Sequence, residues 1–210
     1  MGWRTLTGSM GKWVLGLPLL CSIAYVAGLF PLARFEEESV DIVAHPTSID
    51  VNGAYLFENI HRFPIRQTLT FPVATGKGLS PPATMLVHRI ESGAQPSGDE
   101  PPPAESVRPV PVHNAFGVRW FMIVLRPKEK VWFIANYTQN APSHQGGYVV
   151  TSTRSWGRPL DKAVFRLRTE GVEIVESNYR LKKLSSAHTL GFERRSFMPS
   201  EDWTFAWEVL

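Results

Sequence analysis

The groups in this 210-residue chain that could carry reaction chemistry are six histidines, one cysteine and 19 carboxylates. Their spacing decides what they can do. His45, His61, His88, His113, His144 and His188 stand singly. No two fall at the i, i+2 or i, i+4 separation that presents two imidazoles to one metal from a strand or a helix. The lone Cys21 excludes an internal disulfide framework and a cysteine-only zinc site. Neither a Gly-x-Ser-x-Gly elbow nor a phosphate-binding Gly-Lys-Ser/Thr occurs, and Thr75-Gly-Lys-Gly-Leu-Ser80 reads as a glycine-flanked turn. Among the acids, Glu36-Glu37-Glu38 reads as a solvated run, and Asp202 as the turn before a strand. The residues therefore predict no catalytic group, no bound metal and no cofactor. An exported hydrolase would need His144 or His188 to converge with a distant acid or serine.

One constellation suits recognition better than reaction. Arg154-Ser-Trp-Gly-Arg-Pro-Leu160 sets Trp156 between Arg154 and Arg158, in a segment where Gly157 and Pro159 imply a loop or a strand end. Tryptophan buries a large area and arginine makes forked hydrogen bonds, so the three are candidate interface residues. The competing reading makes Trp156 a plug over the end of the core. A second candidate contact is Pro101-Pro102-Pro103, inside a stretch (91–111) that holds six prolines among Ser, Gly, Glu and Asp. Such a stretch buries no core and forms an extended loop, either a plain connector or an arm that grips a partner.

The elements that position these residues divide in two. Residues 13–33 are 21 successive residues without a charge, close to the ~20 needed to cross a bilayer as a helix. Trp13 at one end and Tyr25 and Phe30 towards the other suit the interfaces, with Leu17 in the apolar stretch between. The run exceeds the core of an ordinary secretory signal, so the expectation is an uncleaved anchor. A cleaved signal peptide competes, since Ser22-Ile23-Ala24 and Val26-Ala27-Gly28 offer small residues to a peptidase. Arg4 and Lys12 precede the run and Glu36, Glu37, Glu38 and Asp41 follow it. That bias predicts residues 1–12 in the cytoplasm and residues 34–210 in the periplasm or outside, at a bacterial inner membrane.

The basic pI of about 9.1 then changes meaning. Residues 34–210 carry 20 basic against 19 acidic groups, essentially neutral, which argues against a nucleic-acid partner. Their apolar pattern has period two. Ile49, Val51, Gly53, Tyr55 and Phe57 fall on alternate positions, with Asp50, Asn52 and Glu58 among the intervening ones, and short runs recur at 68–71, 85–90, 118–125, 131–137, 148–153, 163–168, 172–175 and 203–209. This predicts an all-β antiparallel sandwich, one domain with a long insertion at 91–111, and a short helical turn near 159–162. Trp120, Phe121, Trp132, Phe133, Trp203 and Trp207, lying within these runs, are expected in the core.

The run Phe197-Met-Pro-Ser-Glu-Asp-Trp-Thr-Phe-Ala-Trp207, a proline and an acid before an alternating aromatic strand, resembles the closing strand of the VIT-type β domains of bacterial surface proteins. The resemblance implies a non-enzymatic, envelope-facing β-sandwich. Together these readings predict a membrane-anchored, non-enzymatic accessory subunit of a larger membrane complex, of respiratory, photosynthetic or transport type. Its partners would be the bilayer and other membrane subunits. The alternative is an envelope module that binds a glycan or soluble ligand.

Overall fold

The computed structural model describes residues 31–76, 78–91, 106–115, 117–184 and 189–210. The predicted anchor residues Trp13, Leu17, Tyr25 and Phe30 lie outside these, as do Pro101, Pro102, Pro103 and His188. Among the described residues no helix is long and apolar enough to cross a membrane. Ala33, assigned from sequence to the end of the span, instead opens the first strand. Gln67 Oε1 accepts hydrogen bonds from the backbone amides of Leu32 (2.9 Å) and Ala33 (2.8 Å), and so draws the chain into the domain at this point.

The domain is all-β, and one sheet dominates it. Eight strands lie in the order β12 (Lys182–Lys183), β13 (Thr189–Phe197), β10 (Leu160–Thr169), β1 (Ala33–Ala44), β2 (Ser48–Asn59), β8 (Lys130–Asn140), β4 (Met85–Ile90) and β5 (Val107–Val110). Two three-stranded sheets pack on its inner face. One is β11 (Val172–Ser177), β14 (Trp203–Val209) and β9 (Gln145–Tyr148); the other is β3 (Ile65–Phe71), β7 (Val118–Leu125) and β6 (Val112–Ala115). Alternation explains the layering: Val131, Phe133, Ala135 and Tyr137 of β8 point inward while their neighbours face out. Trp203 meets Phe165 and Phe192, and Phe121 meets Phe133, so both small sheets share one aromatic core with the large one.

Several sequence expectations need correction. The sandwich is not wholly antiparallel, because β1 pairs in parallel with β10, from Glu37 opposite Lys162 to Ala44 opposite Thr169. That pairing brings together segments over 100 residues apart, beyond any local pattern. The expected strand 148–153 ends at Tyr148 and continues as a 3-10 turn over Thr151–Trp156, while 159–162 leads into β10 with no helical turn. Asp202 accounts for the turn, since its carboxylate accepts hydrogen bonds from the Thr151 amide (3.0 Å) and hydroxyl (2.7 Å). Trp120 and Trp132 are half-buried on outer faces, whereas Phe121, Phe133, Trp203 and Trp207 are buried, because adjacent strand residues point to opposite sides.

The acidic run needs correction too, and it involves a backbone irregularity. Phe35 pairs with Phe57 and Glu37 with Leu56, so Glu36 is an extra residue bulged out of β1. The bulge switches the inward phase from odd positions (Ala33, Phe35) to even ones (Glu38, Val40, Ile42, Ala44). Glu38 is carried into the core by the aliphatic residues that follow it. Glu36 and Glu38 are only 3% and 5% exposed; a solvated run they are not.

Candidate functional site

Glu38 sits beside Tyr55 of β2 and Ala163 of β10. Tyr148 donates a hydrogen bond to its carboxylate at 2.7 Å, and the Tyr148 and Tyr55 hydroxyls lie 2.8 Å apart. With Tyr148 donating to Glu38, Tyr55 must donate to Tyr148, giving a chain of three side chains across two sheets. Room for it comes from Gly53, since a Cβ there would fall 1.9 Å from the Tyr55 hydroxyl. Burial is the main cause that raises the Glu38 pKa from 4.5 to about 7; the Tyr148 hydrogen bond opposes it. Burial and the nearby Glu38 charge in turn raise the pKa of Tyr55, Tyr137 and Tyr148. Glu38, Tyr55 and Tyr148 are all buried, so this polar chain is enclosed within the core.

Glu36 has the opposite environment. Lys130 Nζ lies 2.6 Å from its carboxylate and Arg34 lies 3.3 Å away; Arg34 also reaches Asp161 at 3.2 Å and Glu58 at 3.8 Å. The Lys130 pKa is raised, chiefly by its hydrogen bond to Glu36. That of Glu58 is raised by partial burial first, then by a hydrogen bond to Glu36 and its charge. The network lies at one pole of the domain, where β1 begins.

The candidate interface residues fall near this network. Trp156 is half-buried and packs on Phe35 (ring centroids 5.5 Å apart) and Phe57 (5.4 Å), which covers the end of the core. Arg158 pairs with Asp161 at 2.7 Å, and Arg154 is exposed on the turn. Of the histidines, His45 meets two carboxylates, Asp50 at 3.0 Å and Glu170 at 3.4 Å. Both ring nitrogens are thereby engaged, and the trio ties the β1–β2 turn to the end of β10. His144 packs beside Trp207. Among the described residues no group of three His, Cys, Asp or Glu side chains is placed to hold a metal ion.

An outward-facing surface escaped the sequence reading. Along β7, Val118, Trp120, Met122 and Val124 all point away from the core; Met122 is 45% and Val124 47% exposed. Arg66, Thr68 and Thr70 of β3 flank this stripe on one side. His113, whose ring stacks on Trp120 at 4.2 Å, and Ala115 of β6 flank it on the other. The sequence carried no signal for it: in Val118–Leu125 both phases are apolar apart from Arg119, a pattern that reads as burial on both faces.

No family model matches the chain, and no curated protein matches it. Among solved structures, a Legionella pneumophila protein provisionally described as nutrient binding is similar over 84% of this chain and 67% of its own, with a TM-score of 0.58 at 11% identity. An M1 zinc metallopeptidase from Deinococcus radiodurans gives a TM-score of 0.43 at 9% identity, over 83% of this chain and 42% of its own. Native yeast LTA4 hydrolase gives 0.47 at 8%, over 84% and 29%. This chain therefore spans two thirds of the Legionella protein and less than half of the other two. The likeness to the Legionella protein is one of fold.

Proposed function

We propose that this chain is a membrane-anchored, non-enzymatic accessory subunit whose β domain docks a partner protein on the outer face of β3, β7 and β6. The observation that carries this reading is the apolar stripe of Val118, Trp120, Met122 and Val124 on an open sheet face. Contiguous exposed apolar surface on a folded domain marks an interaction site. Aromatic and methionine side chains are enriched at the centre of such sites. Thr68, Thr70, His113 and Ala115 flank the stripe without a carboxylate among them, which suits a partner with an apolar centre. The 21-residue uncharged run 13–33 supports the membrane part of the reading, with its last residues taken into the β domain.

The test is gentle detergent purification of the tagged full-length chain, followed by mass spectrometry. Wild type should bring down a stoichiometric membrane partner. Met122→Glu with Val124→Glu should lose it by at least tenfold while the circular dichroism spectrum and unfolding midpoint stay unchanged. A clean monomer from wild type contradicts the reading. Retention of a glycan or small solute by that monomer would favour the envelope-binding alternative.

A further inference from the structure

The pole at which the chain enters the β domain has a second surface, distinct from the β7 stripe. Asn59, the last residue of β2, pairs with Ala33, the first of β1. Its fully buried side-chain amide donates to the carbonyls of Phe63 and Arg126, both at 2.8 Å, and its oxygen accepts from the His61 amide at 2.9 Å. One asparagine thus clamps two loops, 60–64 and 126–129, beside the entry point of the chain. The Lys128 amide adds a bond to the His61 carbonyl at 3.2 Å.

What these loops present is unusual for a solvated loop pair. Ile60 is 46% and Phe63 56% exposed, and the His61 ring stacks on Phe63 at 4.9 Å. Arg62, Arg126 and Lys128 are exposed around them. The carboxylate within the same loops, Glu129, is taken up by Arg89 and by the Arg126 amide. The tip is therefore apolar at its centre and positively charged at its rim. That combination suits an interface in which aromatic and aliphatic groups enter the acyl boundary while Arg and Lys meet lipid phosphates.

We propose that this pole lies on the membrane surface, with Ile60 and Phe63 inserted and Arg62, Arg126 and Lys128 against anionic lipid headgroups. The proposal rests on the anchor in the reading above, because the polypeptide preceding Leu32 joins the domain at this pole. The docking would fix the orientation of the domain and leave the β7 face available to a protein partner. Each cation near an anionic surface should favour the docked state about fivefold.

The experiment uses the full-length chain with Cys21→Ala, which removes its only native cysteine, in vesicles of phosphatidylcholine and phosphatidylglycerol. Spin labels are placed by Phe63→Cys or, in the β1–β2 turn, by Thr47→Cys. Collision with oxygen and with a water-soluble nickel chelate reports immersion. The label at 63 should favour oxygen and the label at 47 should favour nickel. Adding Arg126→Glu and Lys128→Glu should return the label at 63 to water, whereas Arg126→Lys should not. Equal nickel access at 63 and 47, in protein that resists alkaline extraction, overturns the docking and leaves the anchor standing. Loss of the protein on alkaline extraction overturns both. Binding of a protein partner through Met122 and Val124 is read separately and moves neither label.

Discussion

Glu36 and Glu38 stand two residues apart on one strand, are almost equally buried, and are kept in opposite ways. Glu36 lies at the rim between Lys130 and Arg34, where charge partners compensate for the water it has lost. Glu38 lies in the core with the Tyr148 hydroxyl as its partner, and burial raises its pKa so that it holds a proton more readily. The bulge at Glu36 itself sets the two environments apart. Sequence position and burial alone therefore do not determine how an acid behaves; what reaches its oxygens does.

The sharpest way to break this comparison is Glu38→Gln. Glu38 has a folded pKa of about 7 against 4.5 unfolded, so the native state holds more protons between these values. The contribution of Glu38 to stability should therefore be greatest at low pH, fall as pH rises from 4.5 to about 7, and level off above. The amide keeps the acceptor for Tyr148 and never ionises. The variant should exceed wild type by about 3 kcal/mol at alkaline pH and match it in acid, as measured by urea unfolding of the full chain in detergent. A constant difference across pH would contradict the account.

A smaller effect is expected from Tyr148→Phe, which removes the donor to Glu38 and the acceptor for Tyr55. Stability should drop by about 2 kcal/mol, since two buried polar groups lose a partner. The loss should be larger above pH 7 than below pH 5, because the charged carboxylate depends more on the donor. The smallest effect belongs to the rim. Lys130→Met leaves Arg34 beside Glu36 and removes a largely exposed cation, so the change should stay within about 1 kcal/mol. The raised Lys130 pKa makes even this contribution one that is present at neutral pH and lost as pH rises through that pKa. A rim effect as large as that of Glu38→Gln would erase the distinction between the two acids.

Much of the domain was readable before its structure. The strands Val118–Leu125 and Trp203–Val209 fall where period-two alternation places them, and Trp203 and Trp207 are buried. The failures have physical reasons. Strand β1 was hidden because three successive glutamates mask a phase shift that Phe35 and Val40 do record. The parallel pairing of β1 with β10 depends on contacts between distant segments, on which local periodicity is silent. Trp156 was readable as either plug or anchor; its packing on Phe35 and Phe57 places it over the core, with Arg154 exposed beside it. The surface of β7 was overlooked because apolar residues in both phases of a strand suggest burial on both sides, and here one side is open.

The docking face is the centre of the functional account, and a photo-crosslinking amino acid at position 122 tests it most directly. Position 138, on the outer face of the large sheet beside Asp50, serves as the control. Irradiation in native membranes should give one dominant protein adduct from position 122 and none from position 138. No adduct from either position, or the same adducts from both, would contradict the assignment of this face to a partner protein.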